Sequence, residues 1–144
     1  MSNTDTVKLL KECNSGCKTA LDGMYQVRAH ISSPQLKSTI EESCSRHEEI
    51  GNRCHKLLNE AGKSECDPPA IGTAMMSVGT GFKLAVNDSD KHIAEMMVDG
   101  CNMGIKSIAK QVNLYTNASP ESRKLADDII SEEQHFLNQM LTFL

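Results

Sequence analysis

Apolar residues recur every three or four positions along most of this chain, which is the period of one helix face. The first stripe is Val7, Leu10, Cys13, Cys17, Leu21 and Met24, continued in register by Arg28 and Ile31. It predicts a helix over about 5–31, with Thr4 or Asp5 as its cap. Ser33-Pro34 then restarts the chain, Ser as N-cap and Pro at the first helical position. The second stripe reads Leu36, Ile40, Cys44, His47, Ile50, Cys54, Leu57 and Ala61, and Gly62 is a natural stop. This predicts a helix over about 33–61, and the short gap folds the pair into an antiparallel hairpin, 5–61.

Residues 62–88 break the pattern. Ile71, Ala74, Met75, Val78, Phe82, Leu84 and Ala85 are apolar, but Gly72, Gly79 and Gly81 weaken any helix there. The segment reads as a crossover along the outside of a bundle, with Met75, Val78 and Phe82 over the core. Its glycines predict the least protected amides of the chain. Asn87-Asp88-Ser89-Asp90 opens a third helix, 89–116, with Ile93, Met97, Cys101, Gly104, Ile108, Val112 and Tyr115 on one face. Ser119-Pro120-Glu121 opens a fourth, 119–143, with an acid in the first turn to suit the helix dipole. Its stripe is Leu125, Ile129, Glu132, Phe136, Gln139 or Met140, and Phe143. The prediction is an all-α four-helix bundle in one domain, 1–144, made of hairpin 5–61, crossover 62–88 and hairpin 89–143.

The chain also repeats itself. Cys13-Asn14-Ser15-Gly16-Cys17-Lys18-Thr19 returns as Cys101-Asn102-Met103-Gly104-Ile105-Lys106-Ser107, and His47 and His135 follow at equal distances. Such self-similarity predicts two hairpins related by a pseudo-two-fold axis, with Cys13 superposing near Cys101 and His47 near His135. A mid-helix glycine costs about 1 kcal/mol relative to Ala. Its recurrence at Gly16 and Gly104 predicts close approach of the first and third helices, with matching hydrogen bonds from Asn14 and Asn102. Gly104-Ile105-Lys106-Ser107 is no phosphate loop, because the earlier glycine and the preceding strand are missing.

Composition narrows the function classes. Acids and bases are mixed, the net charge is -4, and the aromatics number three Phe, two Tyr and no Trp. Neither a basic face nor stacking residues are available for nucleic acid. No apolar run reaches the roughly 20 residues of a membrane span. The polar start Met1-Ser2-Asn3-Thr4-Asp5 is not a signal peptide, so a cytoplasmic protein is expected. The six Cys are not spaced as CxxC pairs and, in a reducing compartment, are thiols or metal ligands rather than disulfides.

Two spacings could carry chemistry. Glu132 interrupts an apolar stripe, and a buried carboxylate needs a cation, a metal or a hydrogen-bond partner. Glu132 and His135, three apart on a helix, can hold one ion; Cys44 and His47 have the same spacing. The plain alternative is a satisfied core histidine and thiols that pack as small hydrophobes. No residue is assigned a catalytic role.

With Gly79-Thr80-Gly81-Phe82-Lys83-Leu84-Ala85-Val86-Asn87-Asp88-Ser89-Asp90 and Asp99-Gly100-Cys101-Asn102-Met103-Gly104, the chain resembles the ferritin-like superfamily nearly end to end. It is most similar to a branch of small bacterial ferritin-like proteins, and its first hairpin resembles spore-coat proteins of the same bundle type. The resemblance implies a metal centre of one Glu on helices one and three and Glu-x-x-His on helices two and four. Carried over, these positions fall on Cys13 or Cys17, on Cys44 with His47, on Cys101, and on Glu132 with His135. The repeat favours Cys13 and the height along the hairpin favours Cys17. Three of four carboxylates are thus thiols, which suit zinc or copper(I) better than iron or manganese. The function expected is a non-enzymatic binding or structural role on a bundle with a degenerate di-iron site. The alternative is a metalloprotein with an altered Cys/His/Glu site, holding zinc or iron, for metal binding or redox protection. Self-association, or a spore-coat or other protein partner, is the partner class this implies.

Overall fold

A computed structural model describes residues 3–62 and 89–144. The described residues are helical, without strands, and comprise α1 (Thr4–Val27), α2 (Pro34–Glu60), α3 (Asp90–Leu114) and α4 (Pro120–Leu141). The calls on the crossover, including Met75, Val78 and Phe82, lie outside the described residues.

Local chemistry sets the boundaries. The side chains of Ser33, Ser89 and Ser119 each accept a hydrogen bond from the third residue beyond, at Leu36, His92 and Ser122. Pro34 and Pro120 occupy first-turn positions, where no amide donor is needed. Gly62 follows α2 in the left-handed region, at φ 72°, which a side chain would resist. At α1 the cap is Asn3, whose Oδ1 accepts from the Thr6 amide at 2.8 Å, rather than Thr4 or Asp5. The first α-helix also ends earlier than the stripe predicts. Residues Arg28–His30 tighten into a 3-10 turn, which reverses the chain before Ser33.

Hydrogen bonds at the two ends fix the helix directions. At one end Asp5 Oδ2 accepts from the Asn117 amide and Thr6 Oγ1 from the Ser119 amide, at 2.9 and 2.8 Å. At the other end the Asp90 carboxylate accepts from the amides of Ser32 and Ser33, both at 2.8 Å. Hence α1 and α4 start at one end, and α2 and α3 at the opposite end. Within each hairpin the helices pack antiparallel; α1 packs on α3, α2 on α4, and α1 meets α4 across the diagonal. Gly62 and Ser89 therefore stand at opposite ends of the bundle.

The apolar stripes bury into two clusters. Toward the α1 start, Leu9, Leu10, Cys13, Cys17, Ile50, Cys54, Leu58, Ile108, Leu125 and Ile129 pack together. Toward the other end, Met24, Val27, Leu36, Ile40, Cys44, Ile93, Met97, Cys101, Phe136 and Met140 do so. Ser43, His47, Glu132 and Glu133 are buried where the clusters meet on α2 and α4. This polar layer is the only place in either helix where several buried polar side chains crowd together, and it positions the site.

Candidate functional site

Ser43, Arg46 and His47 reach the site from α2, and Glu132 and Glu133 from α4. His47 is fully buried. Its Nδ1 lies 2.8 Å from the Ser43 carbonyl one turn back, an oxygen that can only accept, so Nδ1 carries a proton. Nε2 is thereby aimed across the interface, 2.6 Å from Glu133 Oε1. Burial alone would depress the imidazole. The Glu133 hydrogen bond and charge, the Ser43 carbonyl and the Glu132 charge outweigh it and raise the His47 pKa above its ordinary 6.5. The raised pKa favours imidazolium against carboxylate, a charge-assisted bond in a dry layer.

Glu132 is held separately. Ser43 Oγ donates to its Oε2 at 2.9 Å, and the half-exposed Arg46 guanidinium approaches Oε1 at 3.5 Å. Ser43 thus serves both acids, orienting His47 through its carbonyl and Glu132 through its hydroxyl.

Cys101 lies beside the same carboxylate. Burial first, then the charge of Glu133, a hydrogen bond to it, and the charge of Glu132 hold the Cys101 thiol well above its usual pKa. Cys17 also feels Glu133: burial, Cys54 and Glu133 push it to about 12. Cys13 is raised by burial and then by Cys54, Cys17 and Glu12. Cys54, one helix across, donates its S–H to the Leu10 carbonyl at 3.0 Å. Cys44 is raised to about 11, by burial foremost, with Arg28 opposing and Glu48 and Glu41 adding; its S–H points at Met24 Sδ, 3.6 Å away. All four candidate thiols are therefore protonated at neutral pH, and both α1 thiols, Cys13 and Cys17, are buried in one cluster with Cys54.

The expected ring of ligands closes only in part. His47, Glu132 and Cys101 gather near the layer, but His135 is exposed. The buried face of α4 runs through Leu125, Ile129, Glu133, Phe136 and Met140, and position 135 turns away from it. Among the described residues no three His, Cys, Asp or Glu side chains are grouped to hold a metal ion. A ferritin-type pair of hard cations does not fit: the nitrogen that would ligate is bonded to Glu133, and His135 faces solvent.

Two further expectations from the repeat are corrected. A methyl on Gly16 would meet Ile108 Cδ1 at 3.3 Å, so α1 does approach α3 closely there, but one on Gly104 would meet Glu133 of α4. Asn14 is buried and its Oδ1 bonds His55 Nε2 of α2 at 2.9 Å, whereas Asn102 is exposed. Ser43, Arg46 and Glu133 escaped the sequence reading. Their signal was present in the Ser-Pro caps: Arg46-His47 and Glu132-Glu133 stand at equal distances after Ser33 and Ser119, and both pairs bond at a separation of 86 residues.

A cavity of about 330 Å³ opens between α1 and α3 and reaches Cys101, Glu133 and Phe136 at its floor. Small residues, among them Ser15, Gly16, Gly100 and Gly104, leave its mouth open. Among the described residues no helix is long and apolar enough to cross a membrane.

No protein-family model matches the chain, and no curated protein does. Among solved structures it is similar to the conserved hypothetical protein rv2844 from Mycobacterium tuberculosis, with a TM-score of 0.75 and 15% identity, over 100% of each chain. At that identity the likeness concerns the fold alone.

Proposed function

We propose that this chain is a ferritin-like bundle with a non-catalytic, binding or structural role, in which an internal ion-pair layer occupies the position of a di-metal centre. The ferritin-like part is supported by the helix directions, which put Gly62 and Ser89 at opposite ends, and by the burial of α2 and α4. Leu36, Ile40, Ser43, His47, Ile50 and Cys54 on α2 match Ser122, Ala126, Ile129, Glu133, Phe136 and Met140 on α4 at the 86-residue spacing.

The observation that carries the role is the His47–Glu133 contact. In a di-iron bundle, helices two and four both turn imidazole and carboxylate toward cations. Here helix two supplies the cation itself, as imidazolium, and helix four the anion. The layer neutralises its own charge and ties the two hairpins together, so oxygen-activating iron chemistry has no donor set to work from.

Iron(II) and manganese(II) titrations test this. Neither ion, nor a chelator, should shift the thermal melt of purified protein, and iron(II) should be oxidised no faster than in buffer. A melt raised by iron(II), or accelerated oxidation, would overturn the reading.

A further inference from the structure

The cavity between α1 and α3 is unusual in its sulfur. Four of the chain's eight methionines, Met24, Met96, Met97 and Met103, line it together with Cys101. Met24, Met96, Met97 and Cys101 are buried, at 2%, 9%, 8% and 3% exposure, while Met103 is 67% exposed. They come from two turns of α3 and one of α1, elements far apart in sequence. A merely apolar slot in a bundle rich in Leu and Ile would be walled by those residues; thioethers differ in carrying lone pairs that bind soft ions.

We propose that this cavity binds one soft monovalent metal cation, copper(I) or its redox-inert analogue silver(I), through Cys101 and the thioethers of Met24, Met96 and Met97.

Charge selects the valence. His47 already balances Glu133, and Arg46 faces Glu132. The ion replaces the Cys101 proton, which leaves to solvent, so one thiolate and one monovalent cation add no net charge to the floor of an apolar cavity. A divalent ion would leave a buried positive charge, which is costly. Thioethers need no deprotonation, so they bind despite the burial that keeps the thiols protonated. Hard cations find too few free oxygens: Glu133 is paired, and the other lining carboxylate, Glu12, stands on α1 near the start of the lined stretch. Met24 is already fixed in place by the S–H of Cys44, which occupies one lone pair and leaves another. Exposed Met103 at the mouth gives an entering ion its first sulfur. The ion's sulfur ligands are not the ion-pair atoms, although Cys101 gives up its hydrogen bond to Glu133 on binding, and the inference stands whether or not the ferritin-like reading does.

The test is an anaerobic competition between the full chain and a copper(I)-specific chromophoric chelator, with ascorbate present. Wild type should withdraw one copper(I), release one proton per ion, and be unaffected by excess zinc(II). Met97→Leu and Met24→Leu keep side-chain volume and leave the thiols in place; each should weaken binding about 10-fold or more, the scale of disrupting a metal's support. Circular dichroism melts establish that both variants fold, and Met140→Leu, in the core but outside the cavity, should bind as wild type. Failure to withdraw copper(I) would overturn the proposal. So would affinity unchanged in both methionine variants, which would place the ion outside this cavity.

Discussion

The second and fourth helices are built to one plan but present opposite charges at the middle of their shared face. Each starts at a Ser-Pro cap, and six buried positions of one match six of the other at a separation of 86 residues. At the middle of that face α2 presents Arg46-His47 and α4 presents Glu132-Glu133. A bundle with identical groups at both positions would set two imidazoles or two carboxylates against each other in a dry layer. Without a metal between them like charges repel, and one would have to lose its charge. Complementary groups let the same backbone close without a cation. The comparison separates what the architecture repeats, caps and burial, from what it has exchanged, the charge at the centre.

Breaking one side of that layer should have the largest effect. Glu133→Ala leaves His47 buried with its Nε2 unpaired and should destabilise by about 3–5 kcal/mol in urea unfolding, the scale for an orphaned partner of a buried pair. The apolar double variant His47→Leu/Glu133→Leu should recover most of the loss, because well-packed hydrophobes replace buried ion pairs at little cost. If Glu133→Ala melts like wild type, the layer does not hold the hairpins together. Arg46→Ala should matter less, since the Arg46 side chain is 41% exposed and its pairing is screened by water.

The pH dependence sharpens the same point. The folded His47 pKa lies above the unfolded value, so the stability it contributes is fully present below about 6.5 and is lost as pH rises through the folded pKa. Wild type should therefore lose stability relative to His47→Gln between neutral and alkaline pH, by up to about 1.4 kcal/mol per pH unit. Parallel curves for the two proteins would mean that His47 is neutral in the native state.

The helical architecture was legible because periodicity, Ser-Pro caps and Gly62 all point the same way. The α1 end was less so: a stripe that runs in register to Ile31 says nothing of the 3-10 turn that the reversal requires. The site was half legible. Cys44, His47, Cys101 and Glu132 are all buried, as their stripes imply. Glu133 was hidden by the choice of register. The Cys-Asn-x-Gly motif and the two histidines recur together and draw the eye to His135, but the buried faces follow the caps. A helix face drifts by about 100° per residue, so a two-residue difference in register turns a core position outward.

The caps offer a smaller test of the shared plan. Ser33 and Ser119 make the same bond to the amide three residues on, both at 3.2 Å. Ser33→Ala and Ser119→Ala should each cost about 1 kcal/mol, the usual scale for a lost N-cap. Each serine also has its own amide held by a side chain of another helix, Ser33 by Asp90 and Ser119 by Thr6; both bonds survive the change, so the two losses should agree within error. Losses that differ severalfold would show that the two hairpin turns are not equivalent.

The glycines give the smallest effects and decide between the two registers. If the recurring motif aligned the halves, a methyl at Gly16 and at Gly104 would meet equivalent surroundings. The contacts differ: Gly16 faces the Ile108 side chain at 3.3 Å, Gly104 the Glu133 carboxylate at 3.4 Å, and Gly100 nothing within 4 Å. Ala in place of a helical Gly gains about 0.5–1 kcal/mol from reduced chain entropy. Gly100→Ala should show that gain in full. Gly16→Ala should keep part of it, because the end of the Ile108 side chain can shift by a few tenths of an ångström. Gly104→Ala should keep most of it, because 3.4 Å from the Glu133 carboxylate is ordinary van der Waals contact. Urea midpoints in the order Gly100→Ala, Gly104→Ala, Gly16→Ala support the burial register. Equal shifts for Gly16→Ala and Gly104→Ala would instead restore the motif as the true correspondence between the halves.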